Sequence, residues 1–277
     1  MKIDAHQHFW IYNETDYSWI DESMKKIRQD FLPEDLHKEL KKLQFDGSVV
    51  VQARQSLEES RWLLSLSNQY NFIKAVVGWI DLQSEKIEEQ LIEFTGERKF
   101  AGVRHAIQDE TDIDFMLRKE FVRGLTYLQD YGLTYDLLIH PEHLKAAGKL
   151  VKKFPELKFV IDHLAKPEIK DRIIEPWATD LKELAKLENV YCKISGMVTE
   201  ADWKQWSTKD FRPYLDIVFA SFGLDRIMIG SDWPVCLLAG TYNSVMNPIL
   251  DYIQQFTEED QGKILGDNCN HFYALNL

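Results

Sequence analysis

Eight short apolar runs, rich in β-branched residues, recur along the chain and constrain its fold more than any other feature. They span residues 3–9, 47–52, 73–82, 101–107, 134–140, 158–163, 190–195 and 227–231. Most of the gaps between them carry apolar residues at helical spacing, as in residues 57–70, 115–131, 143–154 and 211–222. This alternation predicts right-handed βαβ units and a parallel sheet, and eight such units are the number that closes into a barrel.

The main alternative is an open doubly wound sheet, which normally carries a glycine-rich phosphate loop after an early strand. The sequence contains neither a GxGxxG motif nor a P-loop. A single (β/α)8 TIM barrel is therefore the predicted fold class. The length of 277 residues suits one such barrel. Because no linker or low-complexity tract interrupts the pattern, residues 1–277 are predicted to form one domain.

The net charge restricts the possible binding partners, and the cysteine content indicates the cellular compartment. A formal net charge of −12 disfavours binding to nucleic acid or to an anionic membrane surface, since both would repel the protein. No run approaches the ~20 apolar residues needed to span a bilayer, and no targeting segment is expected before the first strand. The cysteines are three, widely spaced and without a CxxC pair, which fits buried thiols of a reducing compartment. The sequence thus predicts a cytoplasmic protein and gives no oligomeric state.

The strongest local signal is an HxH motif at the end of the first strand. Alternate residues of a strand point to the same side, so His6 and His8 are predicted to face the barrel axis together. There they could share one metal ion or one substrate oxygen. Alone the pair is weak evidence, but His140 and His163 end the fifth and sixth strands and Asp232 follows the eighth. Polar residues at the carboxyl ends of barrel strands converge on the mouth, where active sites form.

Other polar residues near the strand ends fit a substrate-binding role. A polar ligand at the barrel mouth needs hydrogen-bond donors and acceptors around it, because buried polar groups without partners are costly. Arg104 is preferred to His105, since strand alternation lets only one of them face the axis. The binding candidates are Gln52, Arg54, Trp79, Arg104, Asp136 and His140.

Several of these interpretations stay open at the level of the sequence. For Arg54, Lys193 and Ser195, a surface ion pair or a place in the barrel core is an equal alternative to ligand binding. The aromatic-rich residues 10–28 predict a long loop after the first strand. Its aromatic side chains either wall the pocket or pack over the barrel mouth.

Taken together, these motifs resemble the amidohydrolase superfamily, which places HxH on strand one, histidines on strands five and six, and aspartate on strand eight. The likeness covers the full chain and is greatest to the amidohydrolase-related branch that contains the sugar-acid lactonases. The runs that carry it are residues 6–10 (HQHFW), 51–53 (VQA), 78–82 (GWIDL), 102–105 (GVRH), 162–167 (DHLAKP), 193–197 (KISGM) and 230–234 (GSDWP).

The resemblance implies hydrolysis of a small sugar-derived lactone of the L-fucono- or L-rhamnono-lactone type. Asp232 would act as general base on water. Either His6, His8 and His163 polarise the carbonyl with Arg104, or these histidines and Asp232 hold one divalent ion, most readily Zn²⁺. Members of this branch can hydrolyse esters without a divalent cation, so either no cofactor or one ion is expected.

The sequence departs from the superfamily pattern on strand four. Binuclear members carry a bridging lysine or glutamate there, whereas this chain has Arg104 and His105. A two-metal centre is therefore not expected. The role of His140 is open, because the lactonase branch does not require histidine at that place.

Two kinds of alternative function stay open. One is a metal-dependent amidohydrolase or decarboxylase of the same superfamily, or a hydrolase of pyrones or muconolactones. The other is a catalytically inactive carbohydrate-binding barrel. The joint presence of the HxH motif, His163 and Asp232 argues against an inactive site, which would not need all of them.

Overall fold

The computed structural model describes residues 1–275 and confirms the predicted TIM barrel. Within this part of the chain, eight parallel strands pair in sequence order from β1 to β8. The strands are β1 (Ile3–Gln7), β2 (Gly47–Val51), β3 (Ile73–Gly78), β4 (Phe100–Ala106), β5 (Thr134–Leu138), β6 (Phe159–Ile161), β7 (Val190–Ile194) and β8 (Ile227–Ile229). The predicted domain limits, 1–277, extend two residues beyond the described part.

Helices alternate with the strands, as the sequence predicted. They are α1 (Pro33–Lys42), α2 (Leu57–Gln69), α3 (Ile87–Thr95), α4 (Lys119–Asp130), α5 (Leu144–Val151), α6 (Trp177–Ala185), α7 (Thr208–Phe222) and α8 (Tyr242–Ile253). The predicted helix over 115–131 divides into a short 3₁₀ turn and α4. Helix α7 begins three residues before the predicted start, because Ser207 and Asp210 form a capping box there.

The barrel closes between β1 and β8 at its carboxyl end. The amide of His8 donates to the carbonyl of Trp233 (2.7 Å), and the amide of Asp232 donates to the carbonyl of His6 (2.8 Å). Gln7 and Trp233 form a parallel bridge at the same point. The closure thus puts the HxH motif next to Asp232.

The amino-terminal end of the barrel is closed by the last helices. Helix α9 (Glu258–Gly262) runs through a π-helical turn (Lys263–Asp267) into α10 (Asn268–Tyr273). Phe272 and Tyr273 of α10 join a buried apolar cluster with residues of six strands. The barrel interior is therefore apolar at this end, and its polar residues lie above.

Two predictions drawn from composition can be compared with the structure. No helix within residues 1–275 is long and apolar enough to cross a bilayer. Cys192, Cys236 and Cys269 are buried free thiols, as their spacing predicted.

Candidate active site

The four predicted catalytic residues meet at the carboxyl end of the barrel, and together they form the upper cluster. The Nε2 atoms of His6 and His8 lie 3.2 Å apart. Oδ1 of Asp232 lies 3.3 Å from Nε2 of His8 and 3.9 Å from Nε2 of His6. Nε2 of His163 completes the set at 3.8 Å from the same carboxylate oxygen. All four side chains are buried, and they converge as the strand positions predicted.

An irregularity in β1 shapes this convergence. Simple alternation would turn Asp4 to the same side as His6, but the pairing of β1 with β2 shifts register between Asp4 and Gln7. Asp4 instead accepts hydrogen bonds from the hydroxyls of Ser231 (2.6 Å) and Tyr242 (3.0 Å). The irregularity therefore turns the Asp4 carboxylate away from the axis, where His6 lies near Asp162 and Asp232.

His163 and Asp232 adopt left-handed backbone conformations, with φ of 54° and 57°. Residues 163–166 are all left-handed, so His163 lies in a tight turn after β6. The sequence had predicted it at the end of the strand itself. Such residues persist only where their surroundings hold them. The indole of Trp177 donates to a carbonyl of this turn (2.7 Å). A Cβ on Gly196 would fall 2.6 Å from the His163 ring, so only glycine fits there.

The outer nitrogen of each histidine in the upper cluster has its own partner. Such contacts fix the orientation of the ring and aim its other nitrogen at the centre. Nδ1 of His8 faces the Val51 carbonyl (2.7 Å), and Nδ1 of His163 faces the Ser195 hydroxyl (2.8 Å). Nδ1 of His6 lies near both the Lys193 ammonium (3.2 Å) and the Asp162 carboxylate (3.3 Å).

The upper cluster combines neutral imidazoles with a carboxylate. Burial lowers the pKa of His6 well below its ordinary value and that of His163 to about 4, so both are neutral at neutral pH. Burial alone would raise the pKa of Asp232, but the adjacent His163 and the contact with His8 outweigh it and hold that pKa well below its ordinary value. Imidazole nitrogens with one carboxylate are a ligand set that Zn²⁺ prefers.

A second set of charged side chains lies within the barrel beneath the upper cluster. This lower cluster consists of Lys193, Asp136, Asp162 and Tyr273. Nζ of Lys193 lies 2.5 Å from Asp136 and 3.0 Å from Asp162. The hydroxyl of Tyr273, on α10, donates to Asp136 (2.8 Å). All four side chains are buried, so each charge depends on its neighbours.

The pKa values in the lower cluster follow from this pairing. Burial raises the pKa of Asp162, but Lys193 and His6 outweigh burial, so the pKa of Asp162 lies well below its ordinary value. Burial also raises the pKa of Asp136, to about 6, although Lys193 opposes the shift. Burial alone would lower the pKa of Lys193, but the two carboxylates raise it overall, so the ammonium stays protonated. The lower cluster is thus an internally paired ionic core.

Arg104 connects the two clusters. Its Nη1 lies 3.0 Å from Asp162 and 3.3 Å from Nε2 of His6. Its Nη2 donates to the backbone carbonyl of Gln52. His105 turns away from the axis and stacks on Phe115, so Arg104 is the strand-four residue at the site, as predicted.

A cavity of about 490 Å³ opens above the upper cluster. His8, His163 and Asp232 form part of its lining. Three of the predicted substrate-binding residues also line it: Gln52, Arg54 and Arg104.

The other three predicted substrate-binding residues are not among the described residues that line the cavity. Asp136 pairs with Arg104 in strand register, but its short side chain stays in the lower cluster while the longer guanidinium reaches the cavity. The Trp79 indole instead lies 3.4 Å from His105. His140 lies beyond the end of β5, where its amide donates to His143.

Some lining residues were not predicted individually. Lys166 falls within the motif at residues 162–167 and was not singled out, while Glu200 and Trp203 follow β7 in a segment without periodicity. The loop at residues 10–28 divides its aromatics. Trp19 lines the cavity, whereas Trp10 is fully buried, so both interpretations of the loop hold for different residues.

Comparison with known proteins matches the chain to the family model described as Amidohydrolase, over residues 3–275. The chain belongs to the amidohydrolase family. It is 35% identical to an L-fucono-1,5-lactonase of Burkholderia multivorans, over 99% of this chain and 96% of that protein. It is 34% identical to an L-fucono-1,5-lactonase of Burkholderia ambifaria, over 99% and 96% of the two chains.

A solved amidohydrolase structure is similar over the whole chain. It is an amidohydrolase from Burkholderia multivorans with bound zinc, which superposes with a TM-score of 0.96 at 35% identity and covers 99% of both chains. Membership of the amidohydrolase family agrees with the motifs at residues 6–10 and 230–234, which supply His6, His8 and Asp232 of the upper cluster.

Proposed function

We propose that the protein is a lactonase that hydrolyses a small sugar-derived lactone of the L-fucono- or L-rhamnono-lactone type. The observation that carries the proposal is the upper cluster, a carboxylate and three imidazoles at the floor of a cavity with polar and aromatic walls. The likeness to two L-fucono-1,5-lactonases supports this substrate class.

The ligand set fits one divalent ion. Nδ1 of His8 faces the Val51 carbonyl and donates to it, so in the neutral form of this ring the lone pair of Nε2 is directed at Asp232, 3.3 Å away. A lone pair and a carboxylate at this distance are stable only with a cation or proton between them. His6, His8, His163 and Asp232 would hold Zn²⁺, which when bound supplies Lewis-acid activation and an acidified water.

Asp232 is the proton acceptor of the reaction. Its lowered pKa keeps it ionised at neutral pH, so it can accept a hydrogen bond from water on the cavity side and take the proton as that water attacks. Water adds to the carbonyl carbon, the bond from this carbon to the ring oxygen breaks, and the ring oxygen leaves with a proton. The products are the carboxylate of the open-chain sugar acid and one released proton.

Arg104 stabilises the oxyanion that forms during the attack. Its guanidinium is held by Asp162 and by the carbonyl of Gln52, so it does not need to reorganise as negative charge develops. Gln52 and Arg54, farther along the cavity wall, bind the hydroxyls of the sugar. Each correctly bound hydroxyl is worth roughly 1–3 kcal/mol, because its absence leaves a buried partner unsatisfied.

A panel of aldonolactones that differ at single carbons tests the substrate class. One configuration should be hydrolysed at least tenfold faster than its epimers, and an unhydroxylated lactone of the same ring size should be a poor substrate. Equal rates across the panel, or turnover only of amides or carboxylated pyrones, would contradict the proposal.

Metal analysis tests the proposed ligand set separately. We expect at most one zinc ion per chain, and we expect a His8→Asn variant to retain less of it than the wild type. Two ions about 3.5 Å apart in an anomalous map would contradict the single site.

A further inference from the structure

We propose that Lys166, Glu200 and Trp203 form a subsite that binds two neighbouring hydroxyls of the lactone. This inference rests on the proposed lactonase function and deepens it, since it names the cavity residues that recognise two of the substrate hydroxyls. The three residues line the same cavity as Asp232. They are called the Lys–Glu wall.

The charged side chains of this wall act electrostatically on each other but make no close contact with other charged groups of the described chain. Lys166 and Glu200 are partly buried, and neither side chain makes a hydrogen bond or ion pair to a residue among 1–275. Arg54, in another part of the cavity lining, is different. It pairs with Asp16 and donates to the hydroxyl of Ser56 (3.0 Å). The hydrogen-bonding atoms of Lys166 and Glu200 are therefore available to a ligand in the cavity.

The backbone holds this wall in place before any ligand arrives. The amide of Lys166 donates to the carbonyl of His163 (2.7 Å) at the end of the left-handed turn. The carbonyl of Glu200 accepts from the amide of Lys170 (2.9 Å), which ties the loop after β7 to the loop after β6. The indole of Trp203 donates to the carbonyl of Thr199 (2.9 Å). Such preorganisation lowers the entropic cost of binding.

The chemistry of the wall matches a diol. An ammonium donates hydrogen bonds to hydroxyl oxygens, and a carboxylate accepts from hydroxyl hydrogens, so Lys166 and Glu200 can bind adjacent hydroxyls in one orientation. Burial raises the pKa of Glu200, which means that its carboxylate is short of water and gains from a ligand hydroxyl. The flat face of Trp203 can pack against the C–H groups of a sugar ring.

The wall also lies in a fixed relation to the reacting atoms. Lys166 ends the same left-handed turn that begins at His163, so hydroxyls bound there set the position of the carbonyl relative to Asp232. Binding energy from the wall should therefore raise kcat/KM for hydroxylated lactones.

The test compares two substrates in two variants, Glu200→Gln and Lys166→Met. With the best aldonolactone of the panel, each variant should lose roughly 10- to 100-fold in kcat/KM, as expected for a lost charged hydrogen bond. With an unhydroxylated lactone of the same ring size, kcat/KM should change less than about threefold, because that substrate has no hydroxyl to lose. Lys170→Met, which removes an exposed ammonium a few residues away, is the matched control and should alter neither value.

The outcomes separate this inference from the proposed function. Equal losses on both lactones, or no loss on either, would overturn the Lys–Glu wall and leave the lactonase function standing. A wild-type enzyme that hydrolyses no lactone would overturn the proposed function first, and the wall with it. If either variant melts at a lower temperature than the wild type, Glu200→Asp is tested in its place. This change keeps the negative charge but shortens the side chain by one methylene, which moves the carboxylate away from the ligand. The same selective loss is expected.

Discussion

The upper and lower clusters both bury ionisable side chains near the barrel axis, but they satisfy them differently. In the lower cluster, the ammonium of Lys193 contacts two carboxylates, and Tyr273 donates to one of them. In the upper cluster, Nε2 of His8 and a carboxylate oxygen of Asp232 lie 3.3 Å apart, and both residues line the cavity. The first arrangement pairs its charges within the chain, although one oxygen each of Asp136 and Asp162 lacks a hydrogen bond, whereas the second opens onto the cavity, where a cation or a substrate can bind. Stability should depend on the lower cluster and activity on the upper one.

The largest effect should come from breaking the upper cluster. Asp232→Asn keeps the shape of the side chain but removes the proton acceptor, so kcat should fall by about two to four powers of ten. The melting temperature should stay within about 3 °C of the wild type, since no charge of the chain loses its partner. Steady-state kinetics and thermal denaturation measure both values. A variant within threefold of wild-type activity would remove Asp232 from the mechanism.

The lower cluster should show the opposite pattern. Lys193→Met leaves the buried Asp136 without its cation and Asp162 with Arg104 alone, which should lower the free energy of unfolding by about 3–5 kcal/mol. Thermal denaturation should show a fall of roughly 10 °C. Adding Asp136→Asn to this variant should recover part of the loss, because one fewer carboxylate is unpaired. If Lys193→Met melts like the wild type, the lower cluster does not stabilise the barrel.

Glu59 sharpens the comparison, because it is a buried carboxyl bound mainly by neutral groups. Its Oε2 accepts from the amides of Ala53 and Arg54 (both 3.0 Å), and its Oε1 accepts from Tyr17 (3.3 Å). Burial raises its pKa to about 7 from 4.5. The folded state therefore binds more protons than the unfolded state between these values, and its contribution to stability falls as pH rises from 4.5 to 7.

Glu59→Gln should remove this pH dependence. The amide oxygen can keep both backbone contacts, so the variant should match the wild type near pH 4 and exceed its free energy of unfolding at pH 8 by about 3 kcal/mol at most. Denaturation curves of both proteins at several pH values check this. A difference that does not grow with pH would mean that the Glu59 carboxyl is ionised throughout.

The smallest effect should come from His140, which lies outside both clusters and outside the cavity lining. His140→Asn should change kcat/KM by less than twofold, since the side chain contacts neither the upper cluster nor the cavity. The same substitution at His8 is the matched control and should cost more than tenfold. A tenfold loss in the His140 variant would place it at the site after all.

The barrel was predictable because its pattern is local and repeated. Apolar runs at eight places and helical spacing between them determine the strands, and the carboxyl ends of parallel strands bring His6, His163 and Asp232 to one rim. To predict that these residues meet, it is enough to know which strand each one follows and which side of the strand it faces. Several strands were predicted too long at their carboxyl ends, because polar residues such as Gln52 and His163 follow the strands without a break in the pattern.

The height of a side chain along the barrel axis could not be predicted. Alternation indicates that Asp136 and Lys193 face inward, but whether they meet the cavity depends on the stagger between strands and on side-chain length. The β1 irregularity beside Asp4 and the left-handed turn at His163 are likewise set by tertiary contacts. Glu200 carries no local signal, because it reaches the cavity only through the folding of a loop.

The hydrogen bond from Tyr273 to Asp136 links the last helix to the ionic groups under the active site. A chain emerging from the ribosome can pair its strands in order, but Asp136 lacks this partner until α10 has been synthesised. The catalytic end of the barrel, although its first histidine is the sixth residue, is then among the last regions to reach its final form. Partly synthesised chains should accordingly be inactive and prone to proteolysis until the C-terminal helix docks.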